Sequence, residues 1–130
     1  MIAKPAALLT EYDELHGLDW AWLSVDGSMT EAPLAAVGEK SGPNPTDRGK
    51  REVKRSVVTE AAGVPVGVTV AEANRNDHLL LAETLKAVVV RRPKPTAANS
   101  QGLCLDKGYD YASTARWPSG FGSLCIRACR

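Results

Sequence analysis

Two aspartates, Asp26 and Asp106, stand in matching local settings. Each closes a short apolar run and meets glycine within two residues, as Val25-Asp26-Gly27 and as Leu105-Asp106-Lys107-Gly108. The runs themselves, Trp20-Ala-Trp-Leu-Ser-Val25 and Leu103-Cys-Leu105, read as strands, and a sheet holds a carboxylate rigidly at a strand's end. Two such groups on neighbouring strands offer the hard oxygen ligands that Mg²⁺ takes. Metal ions about 4 Å apart can clamp the attacking and leaving oxygens of a phosphodiester. Aspartate at a strand end is also an ordinary turn former, and the pattern alone does not separate the two readings.

A second cluster is cationic. Arg48, Lys50, Arg51, Lys54 and Arg55 place five positive charges in eight residues, offset by Glu52. Such a group neutralises phosphates and positions a duplex without reading its sequence. The alternative is a solvated hairpin edge, where lysine discourages strand-to-strand pairing. The stretch from Gly42 to Lys50 is not a phosphate-binding loop, because six residues separate its glycines and Arg51 follows the lysine where Ser or Thr is required. Overall charge is nearly balanced, at +1, but unevenly spread. Residues 1–39 carry one lysine and seven acids (net −6), and residues 40–130 carry fifteen Lys/Arg and eight acids (net +7).

The remaining polar candidates are weaker. Asn74 and Asp77 precede a helical stretch, and Asp77 either caps that helix through its side chain or stands as an accessory acid. His16 and His78 have no ligand partner at useful spacing. Cys104, Cys125 and Cys129 contain no Cys-x-x-Cys pair and no nearby histidine, so a structural or incidental role is expected instead of a zinc site.

The elements that must position these groups follow from periodicity. Residues 5–16 predict a helix with Leu8, Tyr12 and Leu15 on one stripe and Gly17 as its stop. Residues 20–26 predict a strand running into a turn at Gly27-Ser28. Two prolines and two glycines between Gly42 and Gly49 predict a loop without regular structure. Residues 51–60 and 64–70 predict an antiparallel hairpin about Ala61-Ala62-Gly63. Leu79, Leu80, Ala82, Leu85 and Val88 predict a helix to about residue 90, and residues 103–106 a final short strand. The fold class is mixed α/β: a mixed sheet with an antiparallel hairpin and flanking helices.

The runs Trp22-Leu-Ser-Val-Asp-Gly-Ser-Met-Thr-Glu-Ala-Pro-Leu34 and Lys40-Ser-Gly-Pro-Asn-Pro-Thr-Asp-Arg-Gly-Lys-Arg51 resemble transposases of bacterial insertion sequences of the DDE class. So do Gly63-Val-Pro-Val-Gly67, Ala73-Asn-Arg-Asn-Asp77 and Leu103-Cys-Leu-Asp-Lys-Gly-Tyr-Asp-Tyr111, and the likeness runs in order over about residues 10–112. The resemblance implies a ribonuclease H-like catalytic fold, double-stranded DNA as partner, and Mg²⁺ or Mn²⁺ as cofactor. Asp26 then matches the first catalytic, metal-binding Asp and Asp106 the second. Arg48, Lys50, Arg51, Lys54, Arg55 and Lys107 would contact DNA, with Asn74 and Asp77 accessory. Glu52 departs from the family, which favours small residues there.

The family's third acid is a Glu on a later helix, and no Asp or Glu follows Asp110 in this chain. The expected organisation is a helical lead-in over 1–19, a partial catalytic domain over 20–112 and a diverged or truncated tail over 113–130. The expected activity of the chain by itself is nil or nearly so. The alternative is a non-catalytic DNA-binding remnant or a pseudogene-like product; besides DNA, the expected partners are a second copy of the chain or a complementing transposase chain. No segment reads as a signal peptide or membrane span, so a cytoplasmic, nucleoid-associated location is expected.

Overall fold

The computed structural model describes residues 3–31, 42–43, 51–105 and 125–128. Its elements are α1 (Ala3–His16), β1 (Trp22–Glu31), β2 (Gly42–Pro43), β3 (Arg51–Glu60), β4 (Pro65–Glu72), α2 (Asp77–Lys86), β5 (Gly102–Leu105) and β6 (Cys125–Ala128). The fold is mixed α/β, with a six-stranded sheet ordered β2-β3-β1-β5-β6 and β4 also paired to β3. The β1–β3 and β3–β4 ladders are antiparallel, whereas β1–β5 and β5–β6 are parallel.

The hairpin forms as its sequence predicts. Gly63 adopts φ 90°, a conformation that suits a residue without a side chain, and its N–H donates to the Glu60 carbonyl at 2.9 Å. Glu60 then staples the turn to the chain before β1. Its carboxylate accepts from Val64 N–H at 2.8 Å and from Asp19 N–H at 2.7 Å, and the residue is only 3% exposed.

The β3 strand alternates strictly. Glu52, Lys54, Ser56, Val58 and Glu60 are buried, while Arg51 and Arg55 are exposed. The buried set includes Ser56, whose hydroxyl meets that of Thr84 on α2 at 2.7 Å, so the even-numbered side chains of β3 face this helix. On that face Leu23, Val25, Val58, Val66, Leu81, Leu85, Leu103 and Leu105 form the core.

Four sequence expectations change. The predicted α1 stripe faces outward, with Leu8 and Leu15 about two-thirds exposed, and Leu9 is the residue that packs against the core. On α2 the buried positions are Leu80, Leu81, Thr84 and Leu85, whereas Leu79 is exposed. The helix also stops at Lys86 instead of near residue 90. Three successive β-branched valines follow, and Val89 N–H leaves the helical ladder to bond the Val66 carbonyl at 3.1 Å. Finally, Gly42–Pro43 pairs with Arg51 and Glu52 as a two-residue strand, at the edge of β3 just beyond the last β4 pair, Val53–Glu72.

Residues 125–128, in the segment read as a tail, form β6 beside β5. Cys104 is disulfide-bonded, so its sulfur is held in a cross-link. No helix of the described residues is long and apolar enough to cross a membrane.

Candidate metal and nucleic-acid site

Asp26 is the fifth residue of β1 and is exposed. It does not end its strand, contrary to the sequence expectation. The ten-residue β3 carries β1 through Gly27-Ser28 to Glu31, with Asp26 opposite Val57 and Glu31 opposite Glu52. The parallel ladder with β5 is different: its last described rung is Val25 opposite Leu105. Asp26 follows the first of these residues and Asp106 the second. Asp106, Lys107, Arg48 and Lys50 themselves lie outside the described residues.

The faces of the sheet sort the other candidates. Side chains alternate along a strand, so Asp26, Val57 and Arg55 lie on the face opposite α2, with Ser28 directly across from Arg55. Arg51 and Arg55 are exposed on this face. An apolar strip flanks them, in which Val68 and Val70 of β4 are 54% and 39% exposed and Trp22 of β1 is 40% exposed. The six-membered part of the Trp22 indole lies over Gly102, where a Cβ would come within 2.4 Å of the ring.

Lys54 is corrected. It sits on the α2 face with its side chain 9% exposed, and its ammonium is spent on Asp77 Oδ1 at 3.0 Å and on the Arg75 carbonyl at 2.7 Å. It therefore lies on the face opposite the exposed Arg51 and Arg55, with its ammonium already paired. Strand alternation splits the contiguous cationic run between two faces. Glu52 is likewise buried, at 6% exposure.

Asp77 is the first residue of α2, not its cap. The N-cap is Asn76, which makes no side-chain capping bond, and the Asp77 carboxylate reaches inward to Lys54. An acid in the first turn also suits the positive end of the helix dipole. Asp77 lies over Gly27, whereas the neighbouring Asp26 points to the other face, so the sheet separates the two carboxylates. Asn74 is exposed at the sheet edge, its Oδ1 beside Gly42 of β2, where a Cβ would approach it to 2.8 Å. The Lys54–Asp77 pair was legible only in hindsight: it required knowing that position 54 has the parity of Ser56 and Val58.

Among the described residues no group of three or more His, Cys, Asp or Glu side chains is placed to hold a metal ion. Asp26 fits an Mg²⁺ ligand in chemistry, as an exposed carboxylate on a rigid strand.

No family model matches the chain. Over 80 residues it is 34% identical to a Burkholderia cepacia protein whose printed name is "Putative transposase for insertion sequence element IS402". The match covers 55% of this chain and 35% of that protein, so the chain spans about a third of the relative's length. This chain is similar to an insertion-sequence transposase over that part.

Proposed function

We propose that the chain is part of a DDE-class, ribonuclease H-like transposase catalytic domain, in which Asp26 and Asp106 are two of three metal-binding carboxylates. The observation that carries this reading is the β1–β5 register: Val25 and Leu105 are abreast in a parallel pair, and an aspartate follows each. Residues abreast in a parallel pair project to the same face, and that face alternates with each step along the strands. The likeness to the IS402 protein supports the transposase part of this reading.

The reaction class is hydrolysis of a phosphodiester at the element's end, followed by attack of the freed 3′-OH on target DNA. Asp26 and Asp106 would hold Mg²⁺ or Mn²⁺, which when bound supplies positive charge to the phosphodiester oxygens. Arg51 and Arg55, on the same face as Asp26, would neutralise flanking phosphates and fix the duplex over the sheet. No Asp or Glu follows Asp110 in the sequence, and among the described residues no third carboxylate is gathered with Asp26. The chain by itself is expected to bind duplex DNA without cutting it.

Filter binding of duplex DNA across a salt series tests this. Affinity that falls steeply with salt is expected, and no affinity at low salt would sink the DNA reading. A DNA-binding remnant without a metal site is the competing reading. It predicts the same salt dependence, with Mn²⁺ binding that is indifferent to Asp26→Asn.

A further inference from the structure

Gly27 directly follows Asp26, and the space on its helix-facing side is taken by Asp77. A Cβ there would lie 2.8 Å from Asp77 Oδ1 and 3.4 Å from its carboxyl carbon. That oxygen is buried and has no hydrogen bond of proper geometry, its compensation being the Lys54 ammonium at 3.0 Å. The same ammonium donates to the Arg75 carbonyl at 2.7 Å. One cation on β3 therefore ties both the approach to α2 and its first residue to the strand pair beneath Gly27.

Stability alone is a poor reason for this arrangement, because apolar residues of similar volume often replace a buried ion pair at no cost. Its location suggests a better one. β1 pairs with β3 from Leu23 to Glu31 and with β5 from Trp22 to Val25, the last described rung of that ladder. The pair acts two residues beyond Val25, whose rung with Leu105 is the last described one of the β1–β5 ladder. It closes on the main chain of the residue next to Asp26, from the face opposite the carboxylate.

We propose that Lys54 and Asp77 are positioning residues for Asp26: their ion pair fixes the Gly27 main chain and so the direction of the neighbouring carboxylate. This rests on the reading of Asp26 as a metal ligand. Both residues lie on the face opposite the Asp26 carboxylate. They act through the strand, as outer groups do when they orient the ligands of a metal.

The test uses the full chain with Mn²⁺ as probe, followed by the paramagnetic resonance of the free ion. It also measures thermal melting and amide hydrogen exchange at Gly27, Ser28 and Met29. The variants are Asp77→Asn, the apolar double Lys54→Met with Asp77→Leu, and Asp26→Asn as reference. Asp77→Asn and the double variant are expected to weaken Mn²⁺ binding about tenfold or more, the scale of outer-group effects on metal affinity. Both are expected to speed exchange at those three amides, and the double variant is expected to keep its melting temperature.

A double variant that keeps wild-type Mn²⁺ affinity and amide protection overturns the proposal, because the pair would then be structural filling. Wild-type Mn²⁺ affinity in Asp26→Asn would instead remove the metal reading of Asp26. The exchange data would still decide this inference, and unchanged protection in Asp77→Asn would overturn it.

Discussion

Val25 and Leu105 face each other on the last described rung of the parallel β1–β5 ladder, both nearly inaccessible, at 3% and 4% exposure. Each is the buried anchor of an aspartate that comes next in the chain. Asp26 itself is exposed, so replacing it by asparagine removes a charge without opening the core. Asp26→Asn is expected to change unfolding free energy by no more than about 0.5 kcal/mol, as for a surface substitution, while abolishing Mn²⁺ binding. Denaturant titration and metal titration of one preparation check both halves. Retained Mn²⁺ binding would remove Asp26 from the site.

The split of the cationic run gives a second expectation. Arg55 is exposed on the face of Asp26, whereas Lys54 is buried on the other with Asp77 and the Arg75 carbonyl as partners. Loss of one phosphate contact reduces the slope of log affinity against log salt by about one. Arg55→Ala is expected to show that reduction with duplex DNA. Lys54→Met should leave the slope unchanged and instead cost roughly 2 kcal/mol of stability. That is below the range for breaking a fully buried pair, because Asp77 is about one-third exposed. A slope change in Lys54→Met of the size seen for Arg55 would show that the lysine reaches phosphate after all.

These two residues also show what the sequence made legible. The hairpin was readable because β-branched runs about a glycine turn signal local structure directly, and the strands before the two aspartates because short apolar runs end there at Asp and glycine. What could not be read was sidedness. Val53 and Val57 look like core positions of β3, yet Lys54 and Ser56 are the more buried residues, since α2 supplies polar partners in Asp77 and Thr84. The extension of β1 past Asp26 was hidden for a related reason. Gly27-Ser28 has turn composition, and only pairing with a ten-residue β3 overrides it. Of the candidate site, one carboxylate and the exposed arginines are placed by the structure, while Asp106 is placed only up to its neighbour.

The Ser56–Thr84 contact lets the polar side of that core be weighed. The two hydroxyls are 2.7 Å apart, Thr84 Oγ1 is also 2.7 Å from the Leu80 carbonyl, and both residues are essentially inaccessible. Thr84 has a single proton, so when it serves Leu80 the Ser56 hydroxyl is the donor between them. Thr84→Val keeps the shape but orphans Ser56, at an expected cost of about 1–3 kcal/mol. Adding Ser56→Ala should restore part of that loss, because no buried hydroxyl then lacks a partner. Urea unfolding of the two single variants and the double variant gives the coupling. Strict additivity would mean that the hydroxyls do not depend on one another.

Gly102 and Trp22 define the last expectation, on the face that carries Asp26. A methyl at position 102 would stand 2.4 Å from one indole carbon and 2.6 Å from the next, closer than any real contact. The obstacle is the six-membered end of a side chain that is 40% exposed, so the ring can swing outward where a backbone atom could not. Gly102→Ala should therefore fold, losing roughly 1 kcal/mol, within the usual range for a small residue forced into a packed site. The displaced indole should also become more accessible to solvent quenchers. Trp20 is 9% exposed, and both it and Trp117 remain in a Trp22→Phe control, so the difference in acrylamide quenching from that control isolates the ring in question. Unaltered quenching would mean that the indole does not rest on Gly102, and that the apolar strip beside Asp26 is arranged differently from the one described.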